Sequence, residues 1–187
     1  MMNKRLKQGS TFLLAVALTF PLLTLPGAKA ANAINTGQKC SIEFDISGNS
    51  SELLSSSIPV NLYKVASVDE SGNYTGIGAF SKLDLSSVSA DNLDAAAATW
   101  AERAKEAQGK LTDSEGNTVV DPTETVTLQN GRGYQDKLDT GLYLVDTPKV
   151  ITTNYTYTFT PYLVSLPTNN YYNCLLYTSP SPRDVEE

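Results

Sequence analysis

Polar and apolar residues alternate strictly from Cys40 to Ile46: Cys40, Ile42, Phe44 and Ile46 fall on one side, Ser41, Glu43 and Asp45 on the other. A period of two sustained this far predicts a half-buried strand. Val60 to Ala66 (VNLYKVA) predicts a second strand, closed by a turn over Asp69-Glu70-Ser71-Gly72-Asn73. The period then changes. Leu93, Ala96, Ala97, Trp100 and Ala104 recur at helical spacing, with Asp91 placed to cap the helix, Asp94 in its first turn and Gly109 just beyond its end. Trp100, the only tryptophan, is the side chain expected to dock this helix on a sheet. Strand signals return at Thr125 to Leu128, Gly141 to Val145 and Tyr155 to Thr160, after a turn over Asp113 to Asn117. Pro161 to Pro167 (PYLVSLP) is a short apolar run ended by proline. Short strands between Gly, Asn, Asp and Ser turns predict a mostly β fold. The expected architecture is a β-sandwich with one inserted amphipathic helix, about residues 91–108.

Neither end fits that pattern. Lys4, Arg5 and Lys7 precede an apolar stretch from Phe12 to Phe20, and Pro21 and Pro26 follow it. That stretch is too short to span a bilayer, and two A-x-A sites lie after it, so residues 1–30 read as a secretory signal peptide. Cleavage is expected after Ala30, with Ala33 as the second site. Cys40 lacks a lipobox before it, which excludes a lipoprotein anchor. Residues 31–39 are small and polar and read as a flexible lead-in to a domain over 40–173. At the other end, Cys174 to Asp184 reads CLLYTSPSPRD. That string is one reading frame of the transposase adaptor used in preparing short-read sequencing libraries. Residues 174–187 are therefore expected to be non-native, and the natural gene to continue past Asn173.

Composition narrows the chemistry. The chain has 187 residues and no histidine, which removes the commonest general base and metal ligand. Setting the tail aside leaves Cys40 alone, so no disulfide to Cys174 is expected. Residues 31–173 carry 9 Lys and Arg against 17 Asp and Glu, a net charge of −8. Such a surface disfavours nucleic acid and anionic membrane as partners. No phosphate loop, zinc spacing or G-x-S-x-G motif is present. The two acidic turns lack the ligand order of an EF-hand loop, and Asp, Gly and Asn are also what tight turns require. No enzyme, cofactor or metal site is read from the chain.

The ordered pieces CSIEFDI, IPVNLYKVASVDESGNYT, a helical insert, TDSEGN, GLYLVD and YTFTPYLVSLP resemble the N-terminal domain of Gram-positive sortase-assembled pilin backbone subunits. The resemblance covers about residues 38–173. It implies an immunoglobulin-like domain, a structural role in a surface pilus, wall anchoring by sortase, and other pilin subunits as partners. No membrane contact is expected once the signal is cleaved. Two family features are missing: the pilin motif ending Tyr-Pro-Lys and the Leu-Pro-x-Thr-Gly sorting signal. Leu166-Pro167-Thr168-Asn169-Asn170 has asparagine where the signal needs threonine and glycine. Both absences are what a break near Asn173 predicts. A wall-anchored adhesin that binds a host protein or glycan without polymerising is the alternative. Related domains often carry a Lys–Asn isopeptide bond formed beside a buried acid, and the resemblance implies Lys64 and Asp146 as its lysine and acid. The plain reading of Lys64 is a solvent-facing lysine.

Overall fold

The computed structural model describes residues 33–90, 97–169, 171–177 and 181–184, all within the unit Ala31–Glu187. The first strand, β1 (Cys40–Asp45), buries Cys40, Ile42 and Phe44 as its alternation predicts, and also Ser41, which the alternation puts on the polar side. It is followed by a single helical turn, α1 (Ser51–Leu54), capped by the Ser50 hydroxyl, which accepts from the Leu53 amide at 3.3 Å. β2 (Ile58–Val68) is longer than its sequence signal at both ends. β3 (Tyr74–Gly76) returns from it through the Asp69 turn, and a 3₁₀ turn covers Gly78–Phe80.

The helix α2 is described from Ala97 to Gln108. Asp91, Leu93, Asp94 and Ala96 lie outside the described residues. Ala97 is exposed, whereas Trp100 is half-buried and Ala104 and Ala107 are buried. The docking face thus follows Trp100, Ala104, Ala107 and, past the helix end, Leu111. The Gly109 amide donates to the Lys105 carbonyl as the helix stops.

Eight further strands complete the fold: β4 (Glu124–Leu128), β5 (Arg132–Leu138), β6 (Gly141–Asp146), β7 (Val150–Ile151), β8 (Tyr155–Thr158), β9 (Tyr162–Leu166), β10 (Asn173–Tyr177) and β11 (Ser181–Asp184). The larger sheet has β2 at its centre, with β3 and β4 on one edge and β6 then β9 on the other. A second sheet runs β10-β1-β5, with β10 parallel to β1 and β5 antiparallel. A small sheet, β11-β8-β7, is strand-paired to neither, while Tyr157 of β8 is buried in the core that they share.

Two apolar layers follow from this arrangement. One holds Ile42 and Phe44 of β1, Leu62 of β2, Tyr143 and Val145 of β6, and Val164 and Leu166 of β9. The other holds Tyr63 and Val65 of β2, Leu142 and Leu144 of β6, and Ala104 and Ala107 of α2. The larger sheet is therefore covered on both faces, by the second sheet and by the helix. That is why GLYLV is a continuous apolar run while CSIEFD alternates. The fold is a mostly β sandwich with one helix laid against its larger sheet.

Two expectations need correction. The lead-in is not loose along its whole length: Ile34 is only 3% exposed, packed with Val68 and Ala90, and its amide donates to the Glu70 carbonyl at 3.0 Å. A lone apolar residue in a polar segment gives no periodicity, so its burial had no sequence signal. β5 was also missed, because RGYQDKL is polar and buries only Leu138.

Candidate functional site

The sandwich end where the lead-in, β1, β2 and the β5–β6 turn converge brings together Lys39, Cys40, Lys64, Asp139, Thr140 and Tyr143. Lys39 sits just before β1, and its ammonium donates to Asp139 Oδ1. Lys64 Nζ lies 3.9 Å from Asp139 Oδ2. Tyr143 Oη donates to the Asp139 carbonyl at 2.9 Å, and Thr140 Oγ1 donates to the Thr36 carbonyl at 3.1 Å.

The backbone explains why Lys64 can lie here. Lys64 pairs with Tyr143 across β2 and β6, and the register then shifts by a bulge before Ala66. Gly141 opens β6 beneath it. A Cβ on Gly141 would fall 2.4 Å from the Ala66 carbonyl oxygen and 2.8 Å from Lys64 Cε. The missing side chain is the space that the lysine stem crosses.

The electrostatics hold the acidic protons in place. Burial pushes the Cys40 thiol up to about 11, with Asp139 and Cys174 adding to the shift and Lys64 opposing it. Burial likewise raises the Tyr143 phenol, with Asp139 the next cause. The hydrogen bond from Lys39 holds the Asp139 carboxyl below the usual carboxylate range. Neither the thiol nor the phenol is activated as a nucleophile in these surroundings. Two ammonium groups sharing one carboxylate instead tie the lead-in, β2 and the β5–β6 turn together. Among the described residues, no group of three or more Cys, Asp and Glu side chains could hold a metal ion.

The structure does not bring Lys64 and Asp146 together. Asp146 pairs with Asn61, three residues from Lys64 along β2, which is about 10 Å at the rise of a strand. The odd offset also puts it on the other face of the sheet, where Asp146 Oδ1 accepts from Gln108 Nε2 of α2 at 2.7 Å. Asp139 is the acid beside Lys64, and its side chain is 59% exposed rather than enclosed by apolar groups. Lys64 is not fully solvent-facing either, since its side chain is 21% exposed. Asp139 was not singled out from sequence, because it lies just beyond a strand that was itself missed. Ala30 lies outside the described residues.

Cys40 and Cys174 are both free thiols. A cleft of about 310 Å³ lies between α2, β9 and β10, bounded by Trp100, Leu163, Thr168 and Leu176. Among the described residues, no helix is long and apolar enough to cross a membrane.

No protein-family model matches the chain, and no curated protein matches it. Among solved structures, it is similar to the full-length major pilin SpaD from Corynebacterium diphtheriae, with 19% sequence identity and a TM-score of 0.43. The match covers 81% of this chain and 31% of that pilin.

Proposed function

We propose that residues 31–173 are the N-terminal domain of an exported structural subunit of a surface pilus, without enzymatic activity, and that residues 174–187 are adaptor-derived. The observation that supports the reading is the order of segments resembling pilin backbone subunits, ending in GLYLVD and PYLVSLP. Those two segments form β6 and β9, paired from Gly141 with Leu166 to Val145 with Tyr162. In this reading the pilin lysine and the sorting signal lie on the natural continuation of the gene, together with the surfaces for sortase and neighbouring subunits. The Lys39–Asp139–Lys64 group serves stability.

Long-read sequencing across codon 173 tests the proposal. A frame that continues into a Tyr-Pro-Lys motif, further β domains and a sorting signal supports it. A sorting signal without the lysine motif would replace it with an anchored adhesin. A genomic CLLYTSPSPRD would overturn the truncation.

A further inference from the structure

The path of the chain after β9 is fixed before the tail begins. Thr168 and Tyr171 exchange backbone hydrogen bonds at 3.1 and 2.8 Å, with Asn169 at a φ of 48° in the turn between them. This turn delivers Tyr172 and Asn173 to the start of β1. There the Ser41 amide donates to the Tyr172 carbonyl at 2.8 Å, and the Asn35 amide donates to the Tyr172 hydroxyl at 2.8 Å. Ser41 Oγ donates to Asn173 Oδ1, also at 2.8 Å. All three bonds belong to residues ahead of position 174.

Beyond them, the strand runs parallel to β1 in an unbroken register, with Ile42 opposite Cys174 and Phe44 opposite Leu176. Cys174 and Leu176 turn toward the core, while Leu175 is 48% exposed. On the inner side Thr168 Oγ1 donates to Cys174 Sγ at 3.9 Å. The Tyr162 hydroxyl is buried without a partner, and Cys174 is a group that acts on it electrostatically. Buried hydroxyls ordinarily find a partner.

From these bonds we infer that Tyr172 and Asn173 form a register clamp, which directs the segment after position 173 into a parallel slot beside β1. Its natural occupant is the chain's own continuation. Pairing in the slot is carried by main-chain hydrogen bonds, so an unselected sequence can fill it. Selectivity is limited to the inward positions, a small group at 174 and an apolar one at 176. The identity of that occupant rests on the reading of 174–187 as non-native; the clamp does not.

Engineered cross-linking tests it in the full chain. Glu43 lies opposite Leu175, and both belong to the outward-facing positions of their strands. Neighbouring strands lie about 4.8 Å apart, within the Cα separation that a disulfide spans. With Cys174→Ser removing the neighbouring thiol, Glu43→Cys and Leu175→Cys are expected to join on mild oxidation. They should still join when the rest of the tail after 173 is exchanged for an unrelated sequence with the same inward positions. Adding Tyr172→Phe and Asn173→Ala, which removes two of the three bonds while keeping the ring, should slow the cross-link severalfold. An unchanged rate in that variant would overturn the clamp, and so would loss of the cross-link on exchanging the tail. Sequencing across codon 173 separately decides whether the present tail is natural.

Discussion

At the level of single residues, the structure turns on small groups whose absence or charge makes room for others. Gly141 is the clearest case, since any side chain there would meet the Ala66 carbonyl and the Lys64 stem. Gly141→Ala is expected to cost about 3 kcal/mol, as a backbone-level clash that the strand cannot relieve. Urea unfolding would measure it, and a cost near zero would mean that β2 shifts freely at its bulge. Asp139 is a milder case. It is partnered by Lys39 and Lys64, but much of its side chain meets water. Asp139→Asn should therefore cost only about 0.5 kcal/mol at low ionic strength, typical of an exposed pair. The loss should shrink further in high salt, which distinguishes charge from packing.

At the level of elements, burial on one face or two decides what a strand looks like. β1 and the core of β2 were legible because alternation or apolar content marked them. β6 and β9 were legible as apolar runs, although the runs did not say that α2 covers one face and β1 the other. The two turns at Asp69 and Asp113 were legible in full, and the structure shows why they look alike. In each, the first Asp Oδ1 accepts the amides two and four residues on, and the final Asn side chain closes onto Oδ2. β5 was not legible, because it is an edge strand built from charge, with Lys137 at a φ of 59° where its pairing to β1 becomes irregular. Charge and irregular pairing blunt an edge against unwanted strands, and they also erase the pattern that identifies a strand. The end cluster was half legible: Lys64 stood out, whereas its acid partner depends on a turn and a bulge that no local pattern encodes. At β9, the unpartnered Tyr162 hydroxyl gives a direct expectation. Tyr162→Phe should raise stability by about 1 kcal/mol by removing a buried hydroxyl that has no partner. Guanidinium unfolding checks this, with a loss of stability as the opposing result.

At the level of the whole molecule, the ionisable groups set a broad plateau of stability. Asp45, Glu52, Asp69, Asp84, Asp113 and Asp139 all have carboxyls held below their ordinary range, mostly by hydrogen bonds from nearby backbone and side chains. A folded value below the unfolded one gives a contribution that is complete above the unfolded value of about 4. It is lost as pH falls through the lower folded value. Cys40 has the opposite sign. Its contribution is complete below the unfolded value of about 8.5 and is lost as pH rises toward about 11. The chain has no histidine to titrate between these limits. Melting temperature followed by circular dichroism should therefore be flat from about pH 5.5 to 8, falling on the acid and alkaline sides. A step near neutrality would contradict this account.

The anchored lead-in also determines where a recombinant version of the domain can begin. Cloning from Cys40, where the first strand starts, would look tidy and would discard Ile34, the Thr36 carbonyl and Lys39 together. Val68 and Ala90 would lose their cover, at a cost of about 2 kcal/mol for the buried isoleucine alone. A chain begun at Ala31 keeps all of these contacts, and an affinity tag placed ahead of it leaves Ile34 free to seat. Comparing the melting temperatures of the two forms would show whether the first strand or the lead-in is the true edge of the folding unit.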